Sequence, residues 1–141
     1  MTINYHPLTE YEFLIKYLEI TNLLLDPSQQ LTHGEMELIA SITILPEEKF
    51  KYQRFSMGAK KRVVEHLKIT IPNINNRIHA LTTKGFLRRD EDKVLYLPKH
   101  LLNVFSEFQK GSGAAITFKM PQKKDDTSSN KDNSNNREGS K

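Results

Sequence analysis

Apolar residues recur at steps of three and four in five stretches of the chain, each bounded by residues that start or stop helices. The first runs from about 10 to 25, with a stripe of Leu14, Tyr17, Leu18, Thr21, Leu24 and Leu25. Thr9 and Glu12 have the spacing of a capping box at its start, and Asp26-Pro27 stops it. Thr32 and Glu35 repeat that spacing before a second helix, about 33 to 45, with Leu31 and Met36 placed as a hydrophobic staple and Pro46 as the stop. Ser56 caps a third, about 57 to 67, which turns Val63, Val64 and Leu67 inward. After the three-residue turn "KIT", a fourth opens at Thr70, tolerates Pro72 in its first turn and buries Ile74, Ile78 and Leu81. Gly85 closes it and Phe86 folds back onto the core. A final helix, about 98 to 110, buries Leu101, Leu102, Phe105 and Phe108.

Two segments break the helical period. "FLRRDEDKVLYL" reads as a hairpin, with strands from Phe86 to Arg89 and from Val94 to Leu97 around an acidic turn at Asp90 to Asp92. Residues 47–55 alternate Phe50, Tyr52 and Phe55 with Lys49, Lys51 and Arg54, which fits a short half-buried strand or loop, or else a surface segment that stacks on nucleic acid. The strand or loop is the plainer of the two. From about 119 the chain turns to Lys, Asp, Ser and Asn, a composition that does not bury enough surface to offset ordering entropy, so a disordered tail is expected. "AAITFKM" before it is left open between a strand and a docking segment.

These elements predict a mainly α fold with a small β-hairpin, of the α+β class. A chain of 141 residues accommodates one small domain and a tail. The expected division is an N-terminal amphipathic helix over 1–30, a helical domain with hairpin over 31–110, and a linker with polar tail over 111–141. The chain has no cysteine, which excludes disulfides, thiolate zinc sites and a cysteine nucleophile. No apolar run approaches the roughly 20 residues of a membrane span, and no basic segment followed by an apolar one opens the chain. A soluble, unexported, cytoplasmic protein is expected.

Charge changes the picture. The net of +4 conceals a division: residues 1–48 carry one base against eight acids, and residues 49–99 carry thirteen bases against four acids. A block of that sign suits a phosphate-binding surface, although a solvated basic face has the same composition. The fourth helix is also unusual on its polar side, which carries Asn73, Asn75, Asn76, Arg77 and His79 instead of the Glu, Lys and Gln that lose little rotamer freedom in a helix. Asn holds a donor and an acceptor on a short stem and pairs bidentately with adenine N6 and N7. Lys60, Lys61 and Arg62 open the third helix, where the dipole disfavours cations and a bound phosphate would relieve the conflict.

Helix, three-residue turn, helix and basic hairpin is the order of a winged helix-turn-helix. Residues 67–89 resemble the recognition-helix half of winged-helix bacterial and phage regulators of the MarR type and related replication initiators. Leu67, Ile69, Thr70, Ile74, Ile78, Leu81, Gly85, Phe86 and Leu87 fall without a gap on that family's pattern, and "LTHGEMELIASI" is more loosely similar to the helix that opens its domain. Lys68 departs from the customary turn glycine, Val64 from the small residue where the two helices touch, and the acidic tip Asp90-Glu91-Asp92 from a phosphate-binding wing. The resemblance implies a sequence-specific binder of double-stranded DNA, a transcriptional regulator without enzymatic activity. Asn73, Asn75, Asn76 and His79 are then expected at base edges. Lys60, Lys61, Arg62, Thr70, Arg77, Lys84, Arg88, Arg89 and Lys93 are expected at the phosphate backbone.

The resemblance also implies a homodimer through the terminal helices, whose stripes are wide for so small a domain. Two alternatives stand beside this reading. An AT-rich genome enriches Asn, Lys and Ile everywhere, and the asparagine-rich tail shows such a bias. A winged helix also serves as a protein–protein adaptor in a replication, transcription or virion assembly, here with the acidic N-terminal half as the docking face. No catalytic residue, metal or cofactor is expected, because His6, His33, His66, His79 and His100 have no ligand spacing with carboxylates and no phosphate-cradling glycine loop occurs.

Overall fold

Two reciprocal caps set the first helices. Thr9 Oγ1 accepts the Glu12 N–H at 3.1 Å while the Thr9 N–H donates to Glu12 Oε1 at 2.9 Å. Thr32 and Glu35 repeat the pair at 3.2 and 2.9 Å. The computed structural model describes residues 8–50 and 53–111. Within them lie α1 (Glu10–Asn22), α2 (His33–Thr43), a single turn α3 (Glu47–Phe50), α4 (Met57–Leu67), α5 (Ile71–Thr83), β1 (Arg88–Arg89), β2 (Leu95–Tyr96) and α6 (Lys99–Gln109). The protein is mainly helical with a two-stranded antiparallel hairpin. The expected tail, the "AAITFKM" segment and Lys51-Tyr52 lie outside the described residues.

Helix α2 is the centre. It packs against α1, α4 and α5, and Leu38, Ile39, Ala40 and Ile42 are all buried on it. From α5 come Ile74, Ile78 and Leu81, from α4 Ala59 and Val63, and from α6 Leu101 and Phe105. Leu31 and Met36, the expected staple, are both buried at the edge of this cluster. The removal of this apolar surface from water is the main stabilising contribution.

Several expected boundaries move, each for a local reason. Helix α1 ends at Asn22, because the N–H groups of Leu23, Leu24 and Leu25 fold back to Ile20, Thr21 and Asn22 carbonyls three residues earlier, which tightens the last turn. The Asn22 amide then clamps Leu31, accepting its N–H at 2.7 Å and donating to its carbonyl at 3.1 Å. Leu24 therefore leaves the stripe and is 66% exposed, with Leu23 at 78%. Among its described residues the alternating segment after Pro46 forms no strand: it begins with the turn of α3, and Arg54 reaches back to cap α2, donating to the Ile42 and Thr43 carbonyls at 3.1 Å each. The hairpin pairs only Arg88 with Tyr96 and Arg89 with Leu95. Phe86 is unavailable to it, because the Gly85 N–H donates to Thr82 and the Phe86 N–H to Leu81 in the six-to-one, five-to-two pattern that closes α5. Gly85 supplies the left-handed residue this needs, with φ 84°.

The terminal helices are part of the same core. Phe13 of α1 stacks on Phe108 of α6 at 4.1 Å between ring centroids, and Tyr17 Oη lies 2.8 Å from His100 Nδ1. Burial raises the Tyr17 phenol and lowers the His100 imidazole from their ordinary values. The stripes that suggested pairing of two subunits are thus largely covered inside one chain, and α1 is not a separate element from 31–110.

Between α4 and α5 the chain turns through Lys68, which adopts φ 59° and ψ 41°, and Thr70, whose hydroxyl accepts the Asn73 N–H at 3.3 Å. A lysine in the left-handed region is strained by its Cβ, at a cost of about 1 kcal/mol that glycine avoids. Val64 is half-buried on the α4 side of this joint. Lys68→Gly is expected to raise the melting temperature by several degrees in a thermal denaturation scan; a lowered one would show that the lysine side chain contributes something the backbone strain does not outweigh.

Candidate nucleic-acid interface

Helix α5 carries two opposed faces. Ile74, Ile78 and Leu81 are buried, and Asn73, Asn75, Asn76, His79 and Thr83 are exposed. Steps of three and four residues put Asn76, His79 and Thr83 in line along the outer face. Among the described residues the side chains of Asn73, Asn76 and His79 meet no hydrogen-bonding partner, so their donors and acceptors are presented to solvent.

Beside this face is an open groove of about 780 Å³ between the start of α4, the outer side of α5 and the hairpin. Lys60, Asn75, His79, Arg89 and Lys93 line it together with Arg54. Its polar lining also includes Ser56, which the sequence marks only as a helix cap, and Gln53 and Thr82, which the sequence pattern does not single out. Asn75 Oδ1 accepts from Lys60 Nζ at 2.8 Å across the groove.

The hairpin reaches the groove with one of its two sides. Paired residues project to the same side of a ladder and successive residues to opposite sides. Arg89 and Leu95 accordingly line the groove, while Arg88 and Tyr96 line a separate cavity of about 350 Å³ with Phe86, Lys99 and His100. The tip is a four-residue turn in which the Lys93 N–H donates to the Asp90 carbonyl at 2.9 Å and Lys93 takes a left-handed φ of 63°. Asp90 Oδ1 accepts from the Asp92 and Val94 N–H groups at 2.9 Å each, so this acid is spent on the turn's own backbone. Arg89 Nη1 donates to the Lys93 carbonyl at 2.9 Å, which holds it along the flank.

Other expected contacts are used inside the molecule. Arg77 lies on the flank of α5 and donates from Nη1 to the Gly34 carbonyl at 2.8 Å. A Cβ on Gly34 would meet the guanidinium carbon at 3.0 Å, so any larger residue there would push the Arg77 side chain back by a few tenths of an ångström. Lys84 Nζ sits 2.6 Å from Glu35 Oε1, with the two side chains only 20% and 6% exposed. Arg62 lies over the Phe50 ring at 5.8 Å and lines another cleft with Ser41, Glu65 and His66. Thr70 caps α5, and Lys61 is exposed on α4. The expected set therefore divides: Asn75, His79, Lys60, Arg89 and Lys93 come together, with Asn73, Asn76 and Lys61 exposed nearby in sequence. Arg62, Arg77, Lys84 and Arg88 are directed elsewhere.

Among the described residues no cluster of three His, Cys, Asp or Glu side chains is arranged to hold a metal, and no helix is long and apolar enough to cross a membrane. His66, which sequence alone leaves unassigned, lies 2.8 Å through Nδ1 from Ser41 Oγ and meets the edge of Tyr11. No protein-family model, curated protein or solved structure matches the chain.

The Glu35–Lys84 pair is buried enough that removing one partner strands the other. Lys84→Met is expected to destabilise the fold by about 2 kcal/mol or more, because the Glu35 carboxylate then keeps only the Thr32 N–H. Lys61→Met, on the solvent side, is expected to stay within about 0.5 kcal/mol of the parent. Urea denaturation of both variants checks this, and equal stabilities would refute the assignment of Lys84 to the core.

Proposed function

We propose that this chain is a winged helix-turn-helix protein that binds double-stranded DNA in a sequence-specific way and serves as a bacterial or phage regulator. In this reading α4 and α5 are the helix-turn-helix, α5 enters the major groove, and the hairpin is the wing that lies along the neighbouring backbone. The observation that carries the proposal is the pairing of an amide-rich outer face on α5 with a groove lined by Lys60, Arg89 and Lys93. A face chosen only for solubility has no need of three asparagines, which lower helix propensity. Short amides and an imidazole supply the base-edge readers that a duplex demands, and Arg89 and Lys93 beside them supply the phosphate neutralisers.

Arg77 and Lys84 serve this reading indirectly, by fixing α5 against α2. Arg88 faces the reverse side of the hairpin and leaves the backbone role to Arg89 and Lys93. The acidic tip presents no obstacle where the flank of the hairpin, and not its end, meets the duplex.

A second reading keeps the same fold and gives it a protein partner. The observation in its favour is the exposed pair Leu23 and Leu24, at the end of the first helix of the acidic half of the chain. Titration with a duplex at increasing salt separates the two. With Lys61, Arg89 and Lys93 each neutralising a phosphate, the logarithmic slope is about −2.7 per subunit, or roughly fortyfold in affinity between 50 and 200 mM salt. Asn76→Ala is expected to lower the preference for a selected sequence about tenfold and leave that slope unchanged. Absence of salt-dependent duplex binding would overturn the DNA reading and favour the partner.

A further inference from the structure

The bond between Lys60 and Asn75 has a consequence for what this face reads. We infer that Lys60 is a specificity-determining positioning residue, which turns Asn75 into a reader of guanine instead of adenine. This rests on the DNA-binding reading above.

An ammonium carries three donors and no acceptor, so the oxygen of the Asn75 amide must face Lys60 and its NH₂ must face away. Adenine presents a donor and an acceptor on its major-groove edge, and a free amide matches both. Asn75 does not have a free amide. Its oxygen is engaged at 2.8 Å, and the remaining lone pair lies beside a positive charge that repels an approaching N–H. What it offers to the groove is its NH₂.

Lys60 adds to that offer. With one N–H on Asn75, the ammonium has two left, and it lines the same groove as the amide. The two side chains together present donors only. Guanine is the base whose major-groove edge presents two adjacent acceptors, O6 and N7. Asn73 and Asn76, whose amides have no partner among the described residues, keep both functions and remain adenine readers. The three asparagines are thus not equivalent: a lysine on the preceding helix distinguishes the middle one.

Selection of bound duplexes from a random pool, with the full chain and with Lys60→Met, tests this. Lys60 is half-exposed and its bond to Asn75 is on the surface, so the variant is expected to melt as the parent does. The parent is expected to select guanine at one position about tenfold over adenine, and Lys60→Met to move that position to adenine, leaving the others as they were. Adding Asn75→Ala to Lys60→Met is expected to abolish the preference at that position alone. If Lys60→Met weakens binding equally for all sequences with guanine retained, Lys60 is a phosphate contact and the inference fails while DNA binding stands. The inference also fails, with DNA binding intact, if the parent binds duplexes in a salt-dependent way but selects no guanine. If no duplex binds at all, both fall.

Discussion

The first turn of α2 holds α5 in place, and the presentation of the outer face depends on that hold. Gly34 gives its carbonyl to Arg77, and Glu35 gives its carboxylate to Lys84, two points about two helical turns apart along α5. The same Glu35 oxygen accepts the Thr32 N–H, so the capping of α2 and the anchoring of α5 share one atom. Burial of Ile74, Ile78 and Leu81 chooses which side of α5 faces inward, and the two bonds along its flank resist rotation about that choice. A turn of one residue, about 100° around the axis, would carry exposed amides toward the core and leave buried polar groups without partners.

How much of this was legible in the chain depends on how far apart the interacting residues are. Both capping boxes, the Ser56 and Thr70 caps and the Gly85 stop are decided within five residues, and each is present where the sequence puts it. The end of α1 was not legible, because the Asn22 clamp closes on Leu31, nine residues away. Arg77 and Lys84 look like surface cations in the sequence for the same reason: their partners lie 43 and 49 residues upstream, and periodicity alone does not say which flank a neighbouring helix will occupy. The stretch after Pro46 alternates like a strand, yet no partner strand is beside it among the described residues, and its first turn closes as helix.

The candidate site follows the same division. That Asn76 and His79 lie on the side of α5 opposite Ile74 and Ile78, with Asn73 and Asn75 on its two exposed flanks, follows from the period of a helix. That Arg88 and Arg89 part company follows from the period of a strand, once the register of the hairpin is known. The meeting of Lys60 with Asn75 follows from neither, since it depends on how α4 and α5 cross after a turn in which Lys68 holds a left-handed backbone. Chemistry that rests on one element was therefore visible early, and chemistry made between elements was not.

The central claim is that the outer face of α5 is the surface that meets a duplex. The most direct measurement is nuclear magnetic resonance of the ¹⁵N-labelled chain, following side-chain amide signals as a duplex is added. The account predicts that the Asn73, Asn75 and Asn76 amides and the backbone around His79 shift, with Arg89 and Lys93 beside them, while α1 and α6 stay still. Shifts confined to Leu23 and Leu24, or to the Arg88 side of the hairpin, would contradict it.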